Sequence, residues 1–467
     1  MNAPVPVLRI AVVGHTNTGK TSLLRTLTRD AEFGDVSSSP STTRRVEGVA
    51  LQVNGERIVE LYDTPGLEDA GRLIETLESH REQRHRGPDQ IEAFLNSPLA
   101  ERPFEQEARV LKQVLDSRAA LYVIDAREPV LGKYQDELDI LALCARPILP
   151  VLNFTASPDA RSQAWREALA RVNVHAVAEF DTMIFSIDAE TRLWQRLMNL
   201  LSDDSNALAR LIDHRQQQAQ YQAAAGLRIV AELLIEVAAC ARIAAKDDPA
   251  AMSLASNALQ QTIQHAEQVA IEQLLGVFQF SEDDVEWLDL PIQDGQWQGD
   301  LFDPDVLALY AGSMGRGAGA GAAAGAVVDV ATGGLSLGAG TVLGTLIGSG
   351  IGTGLVAGRG LIDKARGNLR LQADDATLTH LAWRQLELLR ALQQRGHATT
   401  QPTQLDSKDS TDAARTVWPK RRMLSAITKA RLKPSVSSLN DEHDASSSAR
   451  TRLVDDLVSA LNAIDST

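Results

Sequence analysis

The rhythm of hydrophobic and polar positions changes once along this 467-residue chain. In the first part, short aliphatic runs alternate with polar loops and helical stretches. VLRIAVV (7–13), RIVELY (57–62), RAALYVIDA (118–126) and PILPVLNF (147–154) have the length and branched side chains of strands buried on both faces. VEGVALQV (46–53) reads as a further strand, and MIFSID (183–188) as the last of the series. TSLLRTL and FEQEARVLKQVLDS carry helical spacing between them. The alternation predicts an α/β domain over 1–202, a mostly parallel sheet with helices on both faces. Its stretch near 68–118 exceeds an ordinary loop and reads as an insertion with helices of its own.

From about Asp203 the strand signal fades and long helical patterns take over. In the segment from Asn206 to Lys246, Leu227, Val230, Leu234, Val237, Ala241 and Ala244 follow a three-four spacing, the seam of a coiled-coil-like helix. DDPAA breaks it, and MSLASNALQQTIQHAEQVAIEQLLGVF returns as an antiparallel partner. Trp287 and Trp297 flank short irregular segments as packing residues. Beyond Arg359, LIDKARGNLRLQADDATLTHLAWRQLELLRALQQRG resumes an amphipathic helix. The expected organisation is therefore an all-α region over 203–395, a linker at 396–417 and basic and terminal helices over 418–467.

Within the helical region, 311–362 is rich in Gly and Ala, and from 317 to 358 Asp329 is its only charge. Gly317, Gly321 and Gly325 recur every fourth residue, as do Gly340, Gly344, Gly348 and Gly352, and Gly350, Gly354 and Gly358. Such a stripe lets two helix backbones approach closely. TGGLS (332–336) would turn between two limbs of about twenty residues, close to a bilayer span. Two readings stay open: contact with a membrane, or a glycine-zipper hairpin buried among neighbouring helices. Each Gly costs roughly 0.8–1.0 kcal/mol of helix stability relative to Ala in water, which speaks for the membrane.

Composition narrows the picture. The chain is 44% hydrophobic and 23% charged, so a folded protein is expected. A net charge of −15 argues against a general nucleic-acid coat binder, and no nucleic-acid partner is expected. Cys144 and Cys240 have no metal spacing, and no charged-then-apolar leader precedes the first strand. A reduced, cytoplasmic setting follows, peripheral to or inserted in the inner membrane if the hairpin makes contact. WPKRRMLSAITKARLKPSVSSLN (418–440) carries six basic residues and no acidic one. It could face anionic lipid or lie on the acidic protein's own surface.

The chemistry lies in the first domain. GHTNTGKT after the first strand fits G-x-x-x-x-G-K-[ST] with Gly14, Gly19, Lys20 and Thr21. Glycines let backbone N–H groups wrap a phosphate, Lys20 reaches the β/γ oxygens, and Thr21 can ligate Mg²⁺. The run Gly14, His15, Thr16, Asn17, Thr18, Gly19, Lys20, Thr21 and Ser22 is thus the expected nucleotide contact. Thr43, before Arg44 in a polar loop, is placed to close over the metal. Asp63 of DTPG belongs to the metal shell, and Gly66 offers a backbone N–H to the γ-phosphate. His80 and His85 are five apart and read as solvated polar residues.

GHTNTGKT, PSTTRR and DTPGL together resemble the TrmE–Era–EngA group of bacterial GTPases. The resemblance implies hydrolysis of GTP with Lys20, Thr43, Gly66 and Asn17 at the reacting end. Leu67 follows DTPG, so no Gln side chain there orients water. Asn17 occupies the position that in this group helps hold a K⁺ ion; the other reading is a loop-stabilising side chain. K⁺ stimulation and a homodimer through the switch face are further implications. With the helical region and the hairpin, the chain is similar over nearly its whole length to two-part bacterial GTPases with a C-terminal domain of unknown function. A low-turnover purine-nucleotide scaffold and an RNA-modification or ribosome-assembly factor are the alternatives.

The base loop departs from that pattern. Asn153 stands where Asn-Lys-x-Asp begins, but Phe154 replaces the Lys and Ala156 the Asp. Ser186 is expected near the second base loop. A carboxylate at 156 would accept from guanine N1–H and the exocyclic amine. Hydrogen bonds to charged groups are worth roughly 1.5–3 kcal/mol, so its loss should erase one to two orders of magnitude in base discrimination. Asn153 could still reach N7, and Asp159 could replace the carboxylate through a shifted loop. GTP is the expected ligand, with ATP its competitor.

Overall fold

The aliphatic runs of the first part form one sheet. In the computed structural model the described residues are 7–29, 46–79, 87–202, 205–245, 247–280, 292–293, 296–297, 300–302, 368–394, 421–441, 443 and 448–465. The Gly/Ala-rich 311–362, the linker at 396–417, Thr43, His80, His85 and Trp287 lie outside them. Two compact units divide the chain, and the boundary at Gln220–Tyr221 falls inside one long helix.

The first unit holds β1 (Leu8–Val13), β2 (Glu47–Val53), β3 (Glu56–Asp63), β4 (Ala119–Asp125), β5 (Ile148–Asn153) and β6 (Ala178–Glu179). Their order is β2-β3-β1-β4-β5-β6, with β2 antiparallel to β3 and the remaining pairs parallel. β4 is buried at every position, as its unbroken apolar run requires. Register sets Val12 beside Asp63 and Asp125 beside Asn153. The ends of β1, β3, β4 and β5 therefore share one edge, where open α/β sheets bind ligands.

Helices α1 (Lys20–Thr28), α2 (Ala70–Ser79), α3 (Pro88–Leu95), α4 (Glu105–Asp116), α5 (Gly132–Ala142), α6 (Ser162–Arg171) and α7 (Ile187–Leu200) surround this sheet. One core packs Leu23, Leu27 and Trp194 on one face; the other packs Leu111, Tyr134 and Trp165. Among the described residues of 68–118, α2, α3 and α4 are helical. The last strand is not where the sequence places it. Residues 183–188 do not form it; β6 does, at Ala178–Glu179. Ser186 instead caps α7, its hydroxyl accepting from the Ala189 N–H at 3.4 Å. Leu193, Trp194 and Leu197 are buried at helical spacing, and that longer period captures Ile187 and Asp188.

Helix α8 (Ser205–Ala239) confirms the long helical pattern but stops before its predicted end. Leu227, Val230, Leu234 and Val237 are buried, whereas Ala241 and Ala244 fall outside the helix. Ala244 belongs to β7 (Arg242–Ala245), antiparallel to β10 (Asn368–Leu371). Among the described residues the expected helix beyond Arg359 is interrupted by that strand and runs as α10 (Asp375–Gln394). Branched Ile243 and Leu369 suit a short ladder that no local helical period reveals.

In the second unit Asp248 caps α9 (Pro249–Phe278), accepting from Ala250 and Ala251 N–H. The Gln222 side chain donates to the Val277 carbonyl at 3.0 Å, as an antiparallel pairing of α8 with α9 requires. Gly226 permits a third helix to approach: a Cβ there would lie 2.4 Å from Leu389 Cδ1 of α10. Trp297, in the hairpin of β8 (Ile292–Gln293) and β9 (Gln296–Trp297), packs against the same core. The basic segment forms α11 (Arg421–Arg431), which buries Ala426, Ile427 and Ala430 and pairs Arg431 with Asp375. It lies against the protein's own surface. Ser437 Oγ and Ser438 N–H both donate to Glu236, which Arg450 of α12 (Ser448–Asp465) also meets at 2.8 Å. Among the described residues no helix is long and apolar enough to cross a membrane.

One ion pair is almost dry. Arg384 lies 3.1 Å from Glu267, their side chains 4% and 6% exposed, and the Gln385 amide also donates to Glu267. Burial pushes the Glu267 carboxyl up, and Arg384 opposes that shift. Glu267→Ala should cost about 3–5 kcal/mol, because it strands a buried guanidinium, while Glu267→Leu with Arg384→Met should cost far less. Urea unfolding of the full chain checks this; equal losses for the single and double variants would contradict it.

Candidate nucleotide site

At the shared sheet edge, β1 runs into the loop Gly14–Gly19 and α1 begins at Lys20. Lys20 is 7% exposed, and its ammonium donates to the carbonyls of Gly14 at 3.2 Å and His15 at 2.7 Å. Burial lowers its pKa, against the pull of Asp63, Glu137 and Glu68. Asn17 is exposed at the tip of the loop in a left-handed conformation, φ 64°.

Two of the three expected metal ligands meet. Thr21 Oγ1 donates to Asp63 Oδ2 at 2.6 Å, while the buried Oδ1 has no hydrogen-bond partner. Burial pushes the Asp63 carboxyl up, opposed by the Thr21 hydrogen bond, by Lys20 and by the Thr64 backbone N–H. An uncompensated acceptor beside a hydroxyl suits a hard divalent cation, which takes oxygen ligands. Mg²⁺ therefore fits Thr21 and Asp63.

Gly66 sits where any side chain would collide with the phosphate loop: an added Cβ would lie 2.4 Å from Thr16 Oγ1 and 2.8 Å from its amide nitrogen. Thr16 Oγ1 donates to Glu68, and Leu67 N–H to the Gly14 carbonyl at 3.2 Å. Leu67 itself is fully buried. Gln106 of the insertion donates to the Gly66 carbonyl, and Glu107 accepts from Asp69 N–H at 3.1 Å.

The His15 side chain is engaged with α5 and the segment after DTPG. Its Nδ1 lies 2.7 Å from Glu137 Oε1 and 2.9 Å from the Leu67 carbonyl, while Nε2 lies 2.9 Å from Lys133 Nζ. Glu137, from α5, also accepts from the Tyr122 hydroxyl of β4 at 2.8 Å. This chain of contacts joins phosphate loop, switch and sheet. Sequence reading misses it because His15 and Glu137 lie 122 residues apart and no spacing relates them.

Asn153 is fully buried. Its Oδ1 accepts from Phe154 N–H at 2.9 Å and from the N–H and hydroxyl of Thr182, both at 3.0 Å. Its Nδ2 donates to the Thr18 carbonyl at 3.1 Å. The side chain expected to reach N7 thus ties the base loop to the phosphate loop. Phe154 takes the left-handed conformation (φ 57°), its ring under the Arg127 guanidinium at 4.0 Å, and Asp125 holds Arg127 through two hydrogen bonds. Thr182, not Ser186, supplies the second base loop's contact with Asn153. Asp159 is exposed in a turn.

The comparisons follow the same division. Residues 9–154 match the family model described as 50S ribosome-binding GTPase, and residues 166–459 match the model described as Domain of unknown function (DUF3482). GTPase Der of Methylibium petroleiphilum is 27% identical over 140 residues, covering 30% of this chain and 31% of Der. GTPase Der of Chloroflexus aurantiacus is 42% identical over 73 residues, 16% of either chain. The chain thus spans about a third or less of the length of these curated relatives. A solved structure of Aquifex aeolicus Era bound to GDP and AlF4⁻ is similar at 16% identity and a TM-score of 0.28, covering 38% of this chain and 52% of that one. Such a likeness is too slight to argue from. Matched over more than half its length by the second model, the chain belongs to the DUF3482 family, and the part before that domain is similar to TrmE–Era–EngA-like P-loop GTPases.

Proposed function

We propose that the first unit binds GTP with Mg²⁺ and hydrolyses it to GDP and phosphate, as a switch for the helical domain. The observation that carries this reading is the Thr21–Asp63 couple, with its partnerless buried oxygen, beside the buried Lys20. Thr21 and Asp63, with Thr43, would hold the metal, and Mg²⁺ supplies charge neutralisation at the β- and γ-phosphates. Lys20 exchanges its two carbonyl acceptors for phosphate oxygens. The N–H groups of the loop and of Gly66 complete the cradle. Water must be positioned without a side chain from Leu67, which is buried in the core. Intrinsic turnover is therefore slow, and a low-turnover scaffold is the second reading for the same reason. Asn17, exposed at the loop tip, is the group proposed to hold K⁺. Membrane contact through 311–362 is proposed from the glycine stripe of the sequence alone.

Asp63 gives a sharp test. A carboxyl whose pKa is raised on folding costs stability while ionised, a cost relieved only as pH falls through that raised value. At pH 7.5 in EDTA, Asp63→Asn should raise the melting temperature by about 2–4 °C per kcal/mol recovered. It should also weaken Mg²⁺-dependent GTP binding by roughly tenfold or more. A destabilised variant with normal Mg²⁺ dependence would sink the assignment. Turnover should rise in K⁺ over Na⁺ and lose that difference in Asn17→Ala, with GTP affinity within about threefold of the parent; negligible turnover in either salt favours the scaffold. In liposome flotation the full chain should rise with vesicles in at least one nucleotide state, and deletion of 311–362 should abolish it; protein left at the bottom in every state rejects membrane contact.

A further inference from the structure

A carboxylate stands beside Ala156 after all, brought by another loop. Asp181 follows β6 and is 8% exposed. Its Oδ2 accepts from the Ala156 N–H at 2.8 Å, and its Oδ1 from the Met183 N–H at 2.8 Å. Residue 156 is where the Asn-Lys-x-Asp pattern carries its carboxylate, three positions after Asn153. We propose that Asp181 reads the base in place of that missing side chain, and so makes the site selective for guanine. The proposal rests on the nucleotide-binding reading above and adds its specificity.

Three features support it. The base-loop frame is intact, since one buried amide, Asn153, holds Thr18, Phe154 and Thr182 together. A group fixed between Ala156 and Met183 therefore keeps a set position relative to the phosphate loop. A carboxylate offers about four lone-pair sites, and the two backbone N–H groups take one on each oxygen. Each oxygen thus accepts one backbone hydrogen bond and keeps a second lone pair, which the proposal assigns to the base. Guanine presents N1–H and its exocyclic amine as adjacent donors, which two carboxylate oxygens can meet together. Adenine presents an acceptor at N1, which a carboxylate repels. Asp159, the nearer candidate in sequence, is exposed in its own turn and meets Ser157.

Asp181→Asn tests the assignment because it exchanges one acceptor for a donor at nearly constant shape. Xanthine keeps N1–H but has a carbonyl where guanine has the amine, so an amide complements xanthine as a carboxylate complements guanine. Affinities of the full chain for GTP, ATP and XTP with Mg²⁺ would be measured by titration. The parent should prefer GTP to ATP by about tenfold or more. In Asp181→Asn, GTP affinity should fall roughly ten- to a hundredfold, XTP should gain, and ATP should stay within about twofold, showing the phosphate site intact. Adding Ala156→Asp to that variant should restore the preference for GTP. Equal losses for all three nucleotides, or no change in preference, would make Asp181 a clamp between loops and overturn the proposal while nucleotide binding stands. A parent that binds no triphosphate would overturn the nucleotide reading itself, and this proposal with it.

Discussion

Two opposite charges kept out of water govern the phosphate end of this protein. Lys20 and Asp63 are buried, and burial disfavours the charged form of each. Neither charge is fully compensated within the protein. Lys20 leans on two carbonyls, and one Asp63 oxygen has no partner. Such a site is costly for folding, and under the proposed function a metal-bound polyanion would supply the charges that the chain withholds. The loop Gly14–Gly19, the break at DTPG and the packing of α1 all serve to hold these groups in place.

From that pair the structure spreads through contacts that are long in sequence and short in space. Gly66 touches Thr16, Leu67 donates to Gly14, and His15 answers through Leu67 and Glu137. A shift of the switch segment cannot leave the phosphate loop unaffected. Gln106 and Glu107 of the insertion also hold this segment, so its helices act as a brace beside the switch. At the other end of the site, Asn153 does the same for the base loops.

The second unit uses a different device. Its helices approach closely at Gly226, and buried polar groups fix their register. Glu267 meets Arg384 and Gln385, while Glu236 gathers Ser437, Ser438 and Arg450. An apolar seam can slide by a turn at modest cost. A buried carboxylate stripped of its partners is costly, so a slide that separated these pairs would be opposed.

What the sequence determined by itself is what local pattern encodes. The strands β1, β3, β4 and β5, the phosphate loop, Asp63 at a strand end and the long helix α8 follow from period, glycine placement and side-chain type within a few residues. Tertiary structure decided the rest. Helical period overrode local β propensity at Ile187. Ala244 left the helix for a ladder with β10, over a hundred residues away, and the Ala241 N–H donates to Asn440 instead. His15 found Glu137 through the placement of α5, and Asp181 found Ala156 through the pairing of β6 with β5, not through spacing. A motif shows which residue is missing at position 156; only packing of β6 beside β5 shows which carboxylate stands next to it.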